Sequence, residues 1–225
     1  MDDLAKLAYS KLARFQVALG AVIFLPAWSL IYWQGWLTWG LFMICCVAIT
    51  WYFLKHDRAL IVRRMHAGPA AEREPRQKLI LTFASVAMCT IFVVSSLDHR
   101  LGWSAVPAAA VLFGAALIVL GFAIIFQAFR DNSFAASIIQ VDRGQKVIDS
   151  GLYARVRHPM YSGALIMFAG IPIAMASWWG LVPVALLAAT IVWRLNDEER
   201  YLAHNLAGYD DYRGKVPARL VPGVW

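Results

Sequence analysis

The sequence predicts an all-α, polytopic integral membrane protein with about five to six transmembrane helices and a polar C-terminal region on the cytoplasmic side. Three observations lead there. Hydrophobic residues make up 60% of the chain and the mean hydropathy is +0.58, above the ~45–50% apolar share of soluble domains. Apolar runs recur at residues 13–33, 36–54, 79–97, 103–129, 160–177 and 180–194, most of them near the ~20 residues that a helix needs to cross a bilayer. Alternating those runs puts 20 of the 21 lysines and arginines on the side that receives residues 1–12, 55–78, 130–159 and 195–225 with the adjoining span ends, leaving Arg100 opposite. By the positive-inside rule both termini and every long polar segment are cytoplasmic. The net charge of +7 then reflects topology and contact with anionic lipid, with little to suggest nucleic-acid binding.

The first run follows Asp2-Asp3 without a small-residue cleavage site, so it reads as a retained helix and not a signal peptide. The connections on the side away from the basic residues are short: Gln34-Gly35, residues 98–102 around Asp98-His99-Arg100, and Ser177 to Gly180. Trp28, Trp33, Trp36, Trp39, Trp103, Trp178 and Trp179 gather near them, as an interfacial aromatic belt does. Residues 55–78 read as a basic, solvated, lipid-facing loop in which Gly68-Pro69 and Pro75 prevent a long helix. Cys45, Cys46 and Cys89 fall inside apolar runs without CxxC spacing, which suits buried reduced thiols. Gly114 and Gly121 in the fourth run can pack within the chain or between chains. The fifth and sixth runs are short and carry Gly170, Pro172 and Pro183, the features of a tilted or kinked hairpin.

Residues 1–129 therefore form a transmembrane scaffold of about four spans, and residues 130–225 hold nearly every unusual polar group. Residues 130–150 are polar with a turn at Asp142-Arg143-Gly144. The segment Gly151 to Gly163 then concentrates Tyr153, Arg155, Arg157, His158, Pro159 and Tyr161 at a membrane boundary, where such groups are costly unless paired or solvated. Pro159 suits a first helical position, whose N–H has no intrahelical partner. The arginines and His158 could simply anchor a helix at lipid headgroups. Gly151, Tyr153, Tyr161 and Gly163 add shape requirements that anchoring does not need, and Gly163 allows a close backbone approach. Beyond the sixth run, Leu195, Tyr201, Leu202 and Leu206 recur at near-helical spacing with Gly208 as a stop. Glu198-Glu199 on that helix is either a local ion pair with Arg194 or a carboxylate site for ligand hydroxyls or an ammonium. The tail with Pro217 and Pro222 reads as irregular.

The arrangement Gly151-x-Tyr153-x-x-x-Arg157-His158-Pro159-x-Tyr161-x-Gly163, then Glu198-Glu199-x-x-Leu202, then Tyr209-x-x-Tyr212-x-x-x-Val216-Pro217 resembles the isoprenylcysteine carboxyl methyltransferase family and the related membrane phospholipid methyltransferases. The resemblance covers about residues 127–225. It implies S-adenosylmethionine as cofactor, with S-adenosylhomocysteine as product, bound at the cytoplasmic face of the inner membrane in a bacterium or of the endoplasmic reticulum in a eukaryote. It also implies a lipophilic or lipid-modified acceptor arriving from the bilayer, most simply an isoprenylcysteine-like carboxylate, with a phospholipid amine or small thiol as alternatives. Carried onto this chain, it places Gly151, Tyr153, Arg157, His158, Pro159 and Tyr161 around the cofactor and Val147 and Ile148 near its adenine. Glu198, Glu199 and Leu202 complete the cofactor site. Arg194 would orient an acceptor carboxylate, and Arg194, His158 and Glu198 form the catalytic set. Gln145 stands where the family often has a histidine. Methyl transfer from a sulfonium needs alignment and water exclusion more than strong acids or bases, and it needs no metal. Only an amine acceptor must lose a proton, for which His158 is the candidate. An NADPH-dependent sterol-type reductase has a similar His-Pro-x-Tyr pattern and is the competing enzyme class. A non-catalytic headgroup-binding protein is the third reading.

Overall fold

The computed structural model describes residues 2–65, 70, 72, 74–135 and 144–225. The described residues are helical throughout their regular structure, with no strand among them. Among the described residues four helices are long and apolar enough to cross a membrane: α1 (Asp3–Ala27), α2 (Trp33–His56), α4 (Pro75–Leu101) and α5 (Ala108–Asp131). Between the second and third of these lies a short helix, α3 (Arg58–Met65). The apolar α6 (Pro159–Ala174) has 16 residues and at ~1.5 Å per residue falls short of a ~30 Å hydrocarbon core. The 25-residue α7 (Leu181–Asn205) joins an apolar first half to a charged second half. A short α8 (Tyr209–Lys215) follows.

One end of the bundle collects the polar segments. Asp2 caps α1 by accepting from Ala5 N at 3.0 Å and pairs with Arg58 at 2.5 Å. Lys11 reaches the Met65 carbonyl, and Arg63 and Arg64 donate to the carbonyls of Ser133 and Ala135. The α1 start, α3, the α5 end and the second half of α7 therefore share one side, as the charge distribution required. Residues 55–65 are not the solvated loop the sequence suggested: Lys55 and His56 finish α2, and Leu60 on α3 is fully buried. Pro75 opens α4 at its first position. Gly68, Pro69, Arg73, Asp142 and Arg143 lie outside the described residues; Gly144, with φ 76°, is a turn.

At the opposite end three boundaries move. The α1–α2 break falls at Trp28 to Tyr32, with Trp28 left-handed at φ 50°. Gly35 is not in that turn. It lies within α2, where a Cβ would come 2.7 Å from the Tyr32 ring and 3.1 Å from Ile23. Asp98, His99 and Arg100 form the last turn of α4, and Gly102 makes the turn itself. The buried Asp98 carboxylate accepts from Ser104 N at 2.7 Å, Ser104 Oγ at 2.6 Å and Ser177 Oγ at 2.5 Å, joining the α4–α5 and α6–α7 links. Trp28, Trp33, Trp36, Trp103, Trp178 and Trp179 are exposed there. Trp39 differs, since its Nε1 donates to Gln16 O at 3.0 Å within the α1–α2 contact. Cys45 and Cys46 are partly buried, whereas Cys89 is exposed on α4.

The α5–α6 pair sets the position of everything downstream. Gly121 packs against Gly163 and Gly114 against Gly170, with the two backbones in direct contact. A Cβ on Gly121 would lie 2.5 Å from Gly163 O, and one on Gly170 2.6 Å from Gly114 O. These small residues therefore pack within the chain, as in other close membrane-helix crossings. The antiparallel contact brings the start of α6 beside the end of α5.

Candidate functional site

At the polar end a 3-10 turn, Gly151–Ala154, precedes α6. Gly151 has φ 58°, and a Cβ there would meet the Asp131 carboxylate at 2.2 Å. That carboxylate accepts from Leu152 N at 2.9 Å and from Gln127 Nε2 at 2.7 Å, docking the turn on the end of α5. His158 is the residue preceding Pro159 at the start of α6. The backbone of Arg157 and His158 then pairs with the tail, donating to Ala218 O and Arg219 O at 3.0 Å each.

Two adjacent acids on α7 take different surroundings. Glu199 is 3% exposed and is ringed by basic side chains. It accepts from Arg157 Nε at 2.7 Å, lies 3.1 Å from His158 Nε2 and forms an ion pair with Arg219 Nε at 3.2 Å. Burial pushes this carboxyl up, but the hydrogen bonds and charges of His158 and Arg157 more than offset that and hold it at about 2. The remaining donor contacts of Arg157 go to Val216 O at 2.7 Å and Pro217 O at 2.9 Å. Glu198 instead accepts from the Tyr161 hydroxyl at 2.5 Å, and that hydroxyl accepts from Arg194 Nε at 3.0 Å. Arg194 also donates to Gln77 Oε1 at 3.1 Å and pairs with Glu72 at 3.3 Å. Gln77 in turn bonds Asp197. Arg194 and Glu198 are thus coupled through a phenol as well as along their helix.

Between these layers lies a cleft of about 820 Å³, including the space at its open mouth. Of the residues singled out in the sequence, Val147, Ile148, Tyr153, Arg157, His158, Tyr161, Glu198 and Leu202 line it. Gly151, Pro159, Arg194 and Glu199 stand behind the lining. They dock the turn, start α6, hold Tyr161 and clamp the tail. Gln145 is at the wall, in the position where a histidine was looked for. Sequence reasoning assigned no site role to Asn132, Phe134, Ala135, Met160, Leu206, Tyr209 and Tyr212, which also line the cleft. For the last two a signal existed. Tyr209 and Tyr212 are buried on α8, a helix in the tail that was expected to be irregular. Tyr212 donates to Tyr153 O at 2.8 Å, while the Tyr209 hydroxyl is buried without a partner among the described residues. Burial, with Glu198 and Asp131 nearby, pushes the Tyr153 phenol up to about 12 against an opposing hydrogen bond with Asn132. Burial likewise raises Tyr209 and Tyr212, so these phenols stay protonated at neutral pH.

A helical membrane protein with a cleft of aromatic, apolar and charged side chains at one end is the class that fold and site define. Residues 109–207 match the family model described as phospholipid methyltransferase. This segment runs from the first turn of α5 to just past α7. It contains His158, Tyr161, Glu198 and Leu202, and it ends before Tyr209 and Tyr212. A search of curated proteins finds no match to the chain.

Proposed function

We propose that the protein transfers a methyl group from S-adenosylmethionine to a lipophilic acceptor at the membrane, with the cleft on the cytoplasmic face. One observation carries the reading. Inside the segment that matches the phospholipid methyltransferase model, Val147, Ile148, Leu202, Tyr153 and Tyr161 line a cleft with Glu198 in its wall, and Tyr209 and Tyr212 just beyond the segment complete it. Small-ligand sites are mostly apolar with a few placed polar groups, and this lining has that character. Apolar and aromatic walls suit an adenine, and the Glu198 carboxylate suits ribose hydroxyls or an α-ammonium. The donor set therefore fits a cationic amphiphilic nucleoside. When bound, S-adenosylmethionine supplies a methyl group on a positively charged sulfur.

The protein's own residues bind, align and exclude water. Tyr161, held by Arg194, fixes the Glu198 carboxylate in one orientation. His158 lines the cleft with its Nε2 3.1 Å from Glu199 Oε1, and it is the side chain that would take a proton from an amine acceptor. An isoprenylcysteine-like carboxylate needs no such base and is the simplest acceptor. For that acceptor Arg194 acts from behind Tyr161, as a positioning group and not in the cleft lining. The family match favours a second acceptor, a phospholipid amine, for which His158 has a direct task. The same match favours methyl transfer over an NADPH-dependent reductase.

Thermal-shift measurements on detergent-solubilised protein test this. S-adenosylhomocysteine stabilises the protein and NADPH does not; stabilisation by NADPH alone overturns the reading. His158→Ala and Glu198→Ala weaken the cofactor shift while the protein stays monodisperse. Labelled methyl incorporation into N-acetyl-S-farnesylcysteine or into phosphatidylethanolamine then separates the two acceptors.

A further inference from the structure

The last residues of the chain fold back onto the start of α6. Arg157 N and His158 N hold Ala218 O and Arg219 O, and Ser162 Oγ donates to Leu220 O at 2.7 Å. Leu220 is buried in the helical core. Beyond it the chain makes a closed turn in which Gly223 has φ 74°. Leu220 N and Val221 N both donate to Trp225 O at 2.9 Å, while Val224 N and Trp225 N donate to Val221 O. Residues 220–225 include no charged side chain. Yet Val221, Val224 and Trp225 are 51%, 78% and 39% exposed.

Depth and backbone pairing say what covers this tip. Ser162, which holds Leu220, adjoins Gly163, and Gly163 packs on Gly121 of α5. From Gly121 toward the polar end α5 stays apolar through Phe126, and its first polar side chain is Gln127. Leu220 therefore lies ~9 Å inside the apolar band, at ~1.5 Å per helical residue. Val119 and Leu120, exposed on α5, are close to that level. Lipid accepts only a backbone whose polar groups are paired internally. The N–H groups of Leu220, Val221, Val224 and Trp225 are all paired, and Pro222 has none.

We infer that residues 220–225 are a lipid anchor, inserting Val221, Val224 and Trp225 into the headgroup–acyl boundary of the bilayer leaflet at the polar end. A tryptophan with small apolar neighbours suits that boundary. The nearest cation does not oppose insertion, because Arg219 pairs with Glu199 at 3.2 Å and lies 5.0 Å over the Trp225 ring. The tail thus runs from the Glu199 cage into lipid. The bilayer holds in place the segment whose carbonyls and Arg219 brace Arg157, His158 and Glu199. This inference does not rest on the methyltransferase reading.

The test uses the full chain in phosphatidylcholine nanodiscs. Cys45, Cys46 and Cys89 are replaced by alanine, and Val224→Cys carries an NBD fluorophore. Its emission is lost to lipids spin-labelled at acyl carbon 5 more than to those labelled at carbon 12, and iodide in the water leaves it unchanged. That pattern places it ~5–10 Å into the boundary. The same label at Asp211→Cys, on the exposed side of α8, shows the reverse. A second measurement needs no label. Wild type and Trp225→Phe differ in tryptophan emission in ordinary nanodiscs and coincide in nanodiscs of brominated lipid, where Trp225 is already quenched. Iodide quenching at position 224 equal to that at 211, or a Trp225→Phe difference that persists in brominated lipid, overturns the inference and leaves the tip in water.

Discussion

Arg157 Nε lies 2.7 Å from Glu199 Oε1, and the same guanidinium holds the carbonyls of Val216 and Pro217. One buried ion pair therefore joins the loop before α6, the second half of α7 and the tail. With both partners almost fully buried, its strength lies less in net stabilisation than in the cost of breaking it. An uncompensated buried charge costs about 3–5 kcal/mol.

This separates two neighbouring acids that look alike in sequence. Glu199→Gln leaves Arg157, His158 and Arg219 around a neutral amide. The expected loss is about 3–5 kcal/mol, read as a lowered melting temperature in detergent. Glu198→Gln keeps a hydrogen-bond acceptor for Tyr161 and leaves melting within about 1 kcal/mol of wild type, but weakens S-adenosylhomocysteine binding. Equal melting of the two variants would refute the division of roles.

The pH dependence follows from the same cage. Glu199 has a folded value of about 2 against an ordinary 4.5, so the unfolded chain takes up the proton first. Its contribution is fully present above the unfolded value and disappears as pH falls from 4.5 toward 2. The size is on the order of 3 kcal/mol. Melting measured from pH 6 to pH 3 should fall more steeply for wild type than for Glu199→Gln.

The α5–α6 crossing predicts a contrast between glycines. Gly121→Ala puts a Cβ 2.5 Å from the Gly163 carbonyl, and forcing the helices apart costs about 1–3 kcal/mol or more. Gly40 lies within α2 with nothing within 4 Å of a new Cβ, so Gly40→Ala gains up to about 1 kcal/mol. Thermal unfolding and monodispersity of the two variants check the sign.

The two tail tyrosines predict opposite signs as well. Tyr212→Phe removes the donor to Tyr153 O and costs about 1–3 kcal/mol through an orphaned buried carbonyl. Tyr209→Phe removes a buried hydroxyl that has no partner among the described residues. In ligand-free protein it should be neutral or stabilising by up to about 1 kcal/mol. Chemical or thermal unfolding of both variants without cofactor decides it.

Much of the site was legible because its groups violate the composition around them. His158-Pro159 at the start of an apolar run marks a helix start, since proline is tolerated only where no N–H partner is required. Glu198 and Glu199 stand out beside a basic membrane face. What separates them is rotation about α7, which turns one toward the cleft and the other toward Arg157. Neighbours in sequence lie ~100° apart on a helix, and no local pattern says which way the helix faces. Arg64 was illegible for a related reason. A basic run between two spans looks solvated until α3 folds Leu60 inward and carries Arg64 against Phe129.

By itself the sequence determined the helical membrane class, the gathering of basic segments at one end and the region that carries the polar cluster. Those follow from hydropathy and charge, which act residue by residue against lipid and water. Only the tertiary structure decided that Gly121 meets Gly163, that Glu198 and not Glu199 lines the cleft, and that Tyr209 and Tyr212 complete its wall. These depend on contacts between segments far apart in the chain. Their energies come from close packing and buried pairing, which exist only once the helices have been placed.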